Sequence, residues 1–231
     1  MSLAGTGVVA IWHDLLPDAK DDFYEWHNRE HMPERVGIPG FRRGRRYIAL
    51  DAGPEYFNLY EADTVEVLGA QDYLLRLNSP TPWTKQIVAS FRGVARSICH
   101  VTYSDGVGQG AYLATARFDI PSTARAQVVS GLRHRLLPSL VDRPGITGVH
   151  LCLADEAISR VETAEKKARS DGTDVPTWIV LIEGCRTDDV RSAVKAFNAE
   201  LFALHGDNAI TPDLTFYQLE YTRCKTPWSA G

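Results

Sequence analysis

The chain has 231 residues, is 44% hydrophobic and 23% charged, and carries a net charge of -4, which suits a globular protein of one large domain or two of about 110 residues. The negative balance argues against a general nucleic-acid binder, because neutralising phosphates takes a basic excess. The four cysteines, Cys99, Cys152, Cys185 and Cys224, form no Cys-x-x-Cys pair and sit in apolar contexts. They are expected to be reduced and mostly buried, in a cytoplasmic protein, and the apolar run 8–12 is too short for a signal core or a membrane span.

In chain order, residues 7–13 form a β-branched and aromatic run, the pattern of a buried strand. Pro17 and a cluster of aspartates then open a helix, their charge suited to the positive end of its dipole. The helix is expected to reach about His31, with Pro33 kinking it and 37–40 stopping it. Strands are predicted at 41–51 and 55–62. Helical spacing follows from Thr64, interrupted at 78–82 and resumed from Trp83 to Phe91, and 94–103 reads as a strand.

After a Gly-rich stretch at 106–110 the order recurs. A strand is expected at 111–120, a helix at 122–141 with Ser122 as its N-cap, strands at 148–154 and 176–184, a helix at 187–205, and a last strand at 214–224. Residues 155–174 interrupt the second copy. The Glu162 to Lys166 spacing supports an exposed helix over 158–169, and the segment is expected as a solvated hairpin extension. Asp14, Pro33, Val36, Pro39 and Gly40 each meet the same residue type 105 positions later, at Asp119, Pro138, Val141, Pro144 and Gly145. Glu61 and Glu183, and Tyr103 and Tyr221, correspond after the interruption.

This pattern predicts a tandem duplication of a βαββαβ unit, 1–105 and 106–231. Each unit makes a four-stranded antiparallel sheet with both helices on one face. The bare faces are expected to pack together. The predicted fold is therefore α+β: two tandem ferredoxin-like units whose sheets form an internal pseudo-dimeric α/β barrel. Pairing within one chain makes a monomer feasible, with a homodimer as the alternative.

The repeat also supplies a control for the histidines. His27 and His31 correspond to Leu132 and Leu136, and Phe23 to Val128. The two leucines share one helix face directed at the sheet, so His27 and His31 should point inward too. Two buried imidazoles without partners would cost about 1–3 kcal/mol each, so compensation is expected from hydrogen bonds or from function. His27-Asn-Arg-Glu-His31 also fits His-x-x-Glu-His, which leaves a divalent metal at His27 and His31 as a weaker alternative, since no third ligand is evident.

The run from Phe23 to Pro33, aromatic-x-x-Trp-His-x-x-x-His-x-Pro, followed by Pro39-Gly40-Phe41 and a basic strand, resembles the dimeric α/β barrel superfamily and most nearly its EthD-like branch. Phe23, Trp26, His31, Pro33, Pro39 and Gly40 carry the resemblance. It implies a pocket between sheet and helices, and relatives that include monooxygenases, dehydratases and isomerases of small, often aromatic molecules. The family histidine carries over to His31 only. Haem stays open because haem-handling relatives share the fold, though no cofactor is predicted and no iron ligand is identifiable.

The leading expectation is a cofactor-independent enzyme acting on an apolar or aromatic compound with an anionic or enolisable group. His31 would be the general acid/base and His27 or Glu30 its helper. Alternation sends Arg43, Arg45 and Tyr47 to one face of the second strand and Arg42 and Arg46 to the other. These arginines are read either as charge protecting an edge strand or as a pair reaching the pocket mouth, Arg43 or Arg45 stabilising negative charge. Trp26 and Trp83 are candidate pocket walls. His100, His134, His150 and His205 are assigned to scaffold or surface. A non-catalytic small-molecule-binding or stress-related protein is the alternative function.

Overall fold

The computed structural model describes residues 3–169, 171–205 and 210–226. Eight antiparallel strands close into a barrel in the order β1-β3-β2-β8-β5-β7-β6-β4. The strands are β1 (Gly7–Leu15), β2 (Phe41–Ala49), β3 (Tyr56–Ala62), β4 (Phe91–Gly106), β5 (Tyr112–Phe118), β6 (Ile146–Ala154), β7 (Trp178–Gly184) and β8 (Asp213–Cys224). The spatial order 4-1-3-2 of the first four strands recurs as 8-5-7-6 in the last four. The halves do not rest face to face as two separate sheets. They are hydrogen-bonded edge to edge, β2 to β8 and β4 to β6.

That closure corrects the reading of β2 as an edge strand: it is paired on both sides, so its arginines protect no edge. An eight-stranded barrel is just wide enough for side chains to fill. Here Trp12, Tyr47, Phe57, Leu59, Leu113, Ile179, Leu181 and Tyr217 fill it. Trp12 reaches across the interior to donate from its indole nitrogen to Thr115 Oγ1 at 3.2 Å. Cys99 and Cys152 lie in this core, whereas Cys185 and Cys224 are exposed and all four are free, so half rather than most are buried.

Alternation sends the other face of every strand outward to the helices. Over the C-terminal half that cover is apolar, with Leu132, Leu136, Val194 and Phe197 in one cluster against β5, β6 and β7. It comes from α6 (Arg125–Gly131), a π turn (Leu132–Leu136), α7 (Leu137–Val141) and α10 (Thr187–His205). Ser122 does not cap α6; the helix starts later, after Ala124, with no side-chain cap.

The N-terminal half is covered by α1 (Lys20–Trp26), a π turn (His27–His31) and α2 (Met32–Gly37), then by three short helices, α3 (Val65–Gly69), α4 (Gln71–Asn78) and α5 (Pro82–Val88). The first helix runs on past His31 to Gly37. Met32 N–H donates to the His27 carbonyl, five residues back, and Leu137 N–H likewise to Leu132. A proline follows each turn. Its ring would clash with the carbonyl four residues earlier and it offers no N–H, and one widened turn absorbs both problems without breaking the helix. Gly44 on β2 lets this helix sit close, since a Cβ there would run into Met32 Sδ.

Residues 155–174 are not a solvated extension. They form two short helices, α8 (Glu156–Ser159) and α9 (Ala164–Lys167), capped by the side chains of Asp155 and Thr163, in place of one helix over 158–169. The Glu162 to Lys166 pair does form, at 2.7 Å. β6 stops opposite Cys99, which leaves the start of β4 without a partner on that side. The segment supplies it: Asp155 N–H donates to Ile98 O at 2.8 Å, Ile98 N–H to Ser159 Oγ at 2.9 Å, and Arg96 N–H to Asp174 O at 2.8 Å. It then packs onto α4 and α5, with Ala164 N–H on Asn78 Oδ1 at 3.1 Å. No helix is long and apolar enough to cross a membrane among the described residues.

Inside one end of the barrel lies a charged cluster. Arg45, Glu61, Glu183 and His150 are all 0% exposed. Arg45 Nη1 donates to both Glu183 oxygens at 3.0 Å and its Nε lies 2.9 Å from Glu61 Oε1, while Arg43 donates to Glu61 at 2.6 and 2.8 Å. His150, which the sequence offered only as scaffold or surface, stands 105 positions from Arg45 and lies 3.5 Å from Glu183. Burial alone would raise the Glu183 carboxyl, but Arg45 and His150 outweigh it and hold it at about 2. Arg45→Met strands a buried carboxylate and should cost about 3–5 kcal/mol in urea unfolding. Adding Glu183→Leu leaves Arg43 and Glu61 as a matched pair and should recover much of that loss. A double variant as unstable as the single one would refute this charge accounting.

Candidate functional site

The outer face of the N-terminal half carries the polar chemistry. β1 presents His13, β3 presents Asn58 and Tyr60, and β2 presents Arg46, all beneath His27 and His31. His27 and His31 are 1% and 6% exposed, and their counterparts Leu132 and Leu136 are fully buried. The imidazoles therefore occupy inward positions, as the repeat predicted. An aromatic shell encloses them: Trp26 lies tilted against His31 at 4.2 Å between ring centroids, Phe23 stacks on His27 at 5.1 Å, and Phe91 on His13 at 4.0 Å.

Hydrogen bonds set the tautomers of two rings. Arg46 Nη1 donates to His27 Nδ1 at 3.0 Å, so Nε2 carries the proton and donates to Tyr60 Oη at 3.1 Å. Asn58 Nδ2 donates to His13 Nε2 at 3.0 Å, and His13 Nδ1 donates to the Asp14 carbonyl at 3.2 Å. His31 differs, because its Nδ1 is fully buried with no partner. Burial lowers the basicity of all three, helped at His27 by Arg46 and at His31 by Arg35; His13 falls to about 3. At neutral pH they are uncharged. Burial also pushes the Tyr60 phenol up, so it keeps its proton.

The predicted residues divide into three places. His27, His31 and Trp26 meet, as above. Glu30 turns away to accept from Thr81 Oγ1 at 2.6 Å and Thr84 Oγ1 at 3.1 Å, and Trp26 Nε1 donates to the same Thr84; it does not touch His31. Trp83 lies at the α1–α5 contact with its indole nitrogen on Asp22 at 2.9 Å. Arg43, Arg45 and Tyr47 point into the barrel, on the opposite face of β2, and cannot share a pocket with His31. The period-two alternation was right, but the basic residue that reaches the histidines is Arg46.

The metal alternative fares poorly on donor geometry. Both His27 nitrogens are engaged, one by a guanidinium, and Glu30 faces away; no group of three or more His, Cys, Asp or Glu side chains converges among the described residues. Of the remaining histidines, His100 sits 3.6 Å from Asp155 and His134 is exposed; the side chain of His205 lies outside the described residues. The sequence reading missed His13, Tyr60, Arg35 and Arg169. His13 closes a strand whose alternation, Val9-x-Ile11-x-His13, already placed it on the helix-facing side.

The neutral histidines make stability depend on pH in a defined direction. Each has a folded pKa below its unfolded value of about 6.5, so below that pH the unfolded chain binds more protons. Stability is full above about pH 6.5 and falls as the pH drops, by up to about 1.4 kcal/mol per unit for each histidine. His31→Leu, which installs the residue of the other half, should flatten that slope between pH 6.5 and 5 by about a third. Urea midpoints across the range measure it, and an unchanged slope would show that His31 is not a buried neutral group.

No family model matches this sequence and no curated protein matches it. Solved structures do. An anthrone oxidase-like protein superposes with a TM-score of 0.65 at 12% identity, covering 100% of this chain and 99% of its own. A chlorite dismutase variant from Candidatus Nitrospira defluvii gives 0.55 at 10% identity, covering 94% and 91%. A monooxygenase-like protein from Listeria innocua gives 0.50 at 11% identity, covering 94% and 95%. At such identities the likeness speaks for architecture alone. With eight antiparallel strands closed in this order and helices on the outside, the chain has the α+β barrel architecture of these structures.

Proposed function

We propose that the protein binds a small apolar or aromatic molecule with an anionic or enolisable group between the sheet and the α1–α2 helix. It acts there by cofactor-independent acid/base or oxygenase-like chemistry. One observation carries the reading: His31 offers a buried, unpartnered, uncharged imidazole nitrogen where the corresponding turn has leucine. Such a group costs stability, and a role in binding or catalysis accounts for its being kept.

In this reading His31 Nδ1 accepts the substrate proton. His27, fixed by Arg46 and Tyr60, holds its ring beside it at 5.6 Å between centroids. Arg46 takes the charge-stabilising role first assigned to Arg43 or Arg45, acting in a site from which packed rings exclude water. The structural neighbours, an anthrone oxidase-like and a monooxygenase-like protein, agree in kind.

The EthD-like assignment belongs to the same proposal, as do the tandem division at 1–105 and 106–231, a monomer and a cytoplasmic location. The duplication draws support from the recurring strand order and from π turns 105 positions apart. Closure of the barrel within one chain favours the monomer. Among the described residues no carboxylate pairs with His31, which favours a second reading, a protein that holds its ligand without turnover.

Turnover and oxygen uptake on a panel of phenols, hydroxyquinones and anthrone-type ketones separate the two. His31→Leu should lose about 10²-fold or more in kcat/KM while melting at or above the native temperature. Activity retained in that variant would remove His31 from the chemistry, and saturable binding without turnover by the native protein would favour the second reading.

A further inference from the structure

Three guanidinium groups meet beneath the 155–174 segment with one buried carboxylate to balance them. Arg35 comes from α2, Arg96 from β4 and Arg169 from the segment's return limb. Arg35 and Arg96 are 2% and 8% exposed, and the Arg169 side chain 3%. Glu165, itself buried, pairs directly with Arg35 and lies 3.7 Å from Arg169. Glu34 reaches Arg35 at 3.1 Å from the rim. Arg96 donates to the Tyr73 hydroxyl at 3.1 Å. Arg169 donates to Thr173 Oγ1 at 3.3 Å, and its Nε is fully buried without a partner.

The positive charge cannot be shed, because an arginine does not deprotonate in a protein, and an unanswered buried charge is expensive. Burial, only partly offset by Glu165, pulls Arg169 down to about 10, and Arg96 and Arg35 add to the depression. Arg96, Arg169 and Glu165 line a nearly closed cavity with Leu77, Ser159 and Thr163. Its free room of about 10 Å³ takes one small occupant.

We propose that this cavity is an anion site, formed by Arg96 and Arg169 with Arg35 behind them, which takes a halide or one carboxylate oxygen of an acid. Glu165 is the chain's own anion in the same cluster, so it competes with the ligand for the guanidinium groups. Neither the cluster nor its test depends on His31.

Thermal shift and calorimetry at constant ionic strength, with chloride, formate or benzoate exchanged for a bulky sulfonate, test it. A saturable stabilisation is expected. Arg169→Gln and Arg96→Gln should each weaken it by about tenfold or more. Glu165→Gln keeps all three guanidinium groups and should tighten it. Affinity falling from formate to benzoate would identify a free small ion as the occupant, and affinity rising would identify the acid end of an organic ligand; either supports the site. Absence of saturable binding by the native protein, equal binding by Arg169→Gln, or weaker binding by Glu165→Gln would overturn it.

Discussion

Arg45 joins the two halves of the barrel where no water reaches. Its guanidinium touches Glu61 on β3 and Glu183 on β7, so one side chain ties a strand of the first half to a strand of the second. In so dry a setting charges must match in number and position, because a register slip of one residue would turn Arg45 outward and leave two carboxylates facing hydrocarbon. The remainder of the interior is largely apolar, apart from the Trp12 to Thr115 hydrogen bond. The charged end is therefore what specifies register, and His150, standing 105 positions after Arg45, completes it from β6.

A filled interior has a consequence for function. With the barrel lumen occupied by side chains, the proposed ligand site has to lie outside the sheet, under the helices. The two halves use that space differently. The C-terminal half fills it with leucine, valine and phenylalanine, whereas the N-terminal half fills it with imidazoles, a phenol and guanidinium groups inside an aromatic shell. Polar groups of this kind need partners, and most find them: His13 with Asn58, His27 with Arg46 and Tyr60. His31 Nδ1 and Arg169 Nε do not.

The 155–174 segment ties the halves together structurally. It begins in the C-terminal half, repairs the unpaired start of β4, and delivers Glu165 to Arg35 over the N-terminal helices. Its two short helices could not fold alone, since each is a single turn. They hold because caps, backbone pairing with β4 and a buried ion pair act together.

Local patterns in the sequence determined a good deal by themselves. Alternation and helical spacing located the strands and the long helices, the 105-residue offset pointed to matched halves, and the leucines opposite His27 and His31 placed those histidines inward. Each inference used neighbours in the chain or a copy of them, which is why it needed no tertiary structure. What only the tertiary structure decided concerns partners distant in sequence. Edge-to-edge closure put Arg43 and Arg45 inside the barrel, Glu30 turned to Thr81 and Thr84, and residues 155–174 became a cover with Glu165 on Arg35. Alternation shows that Arg45 and Arg46 face opposite ways, but which way is inward depends on how the sheet closes, and closure is set by pairings between residues up to 181 positions apart, such as Arg43 and Cys224.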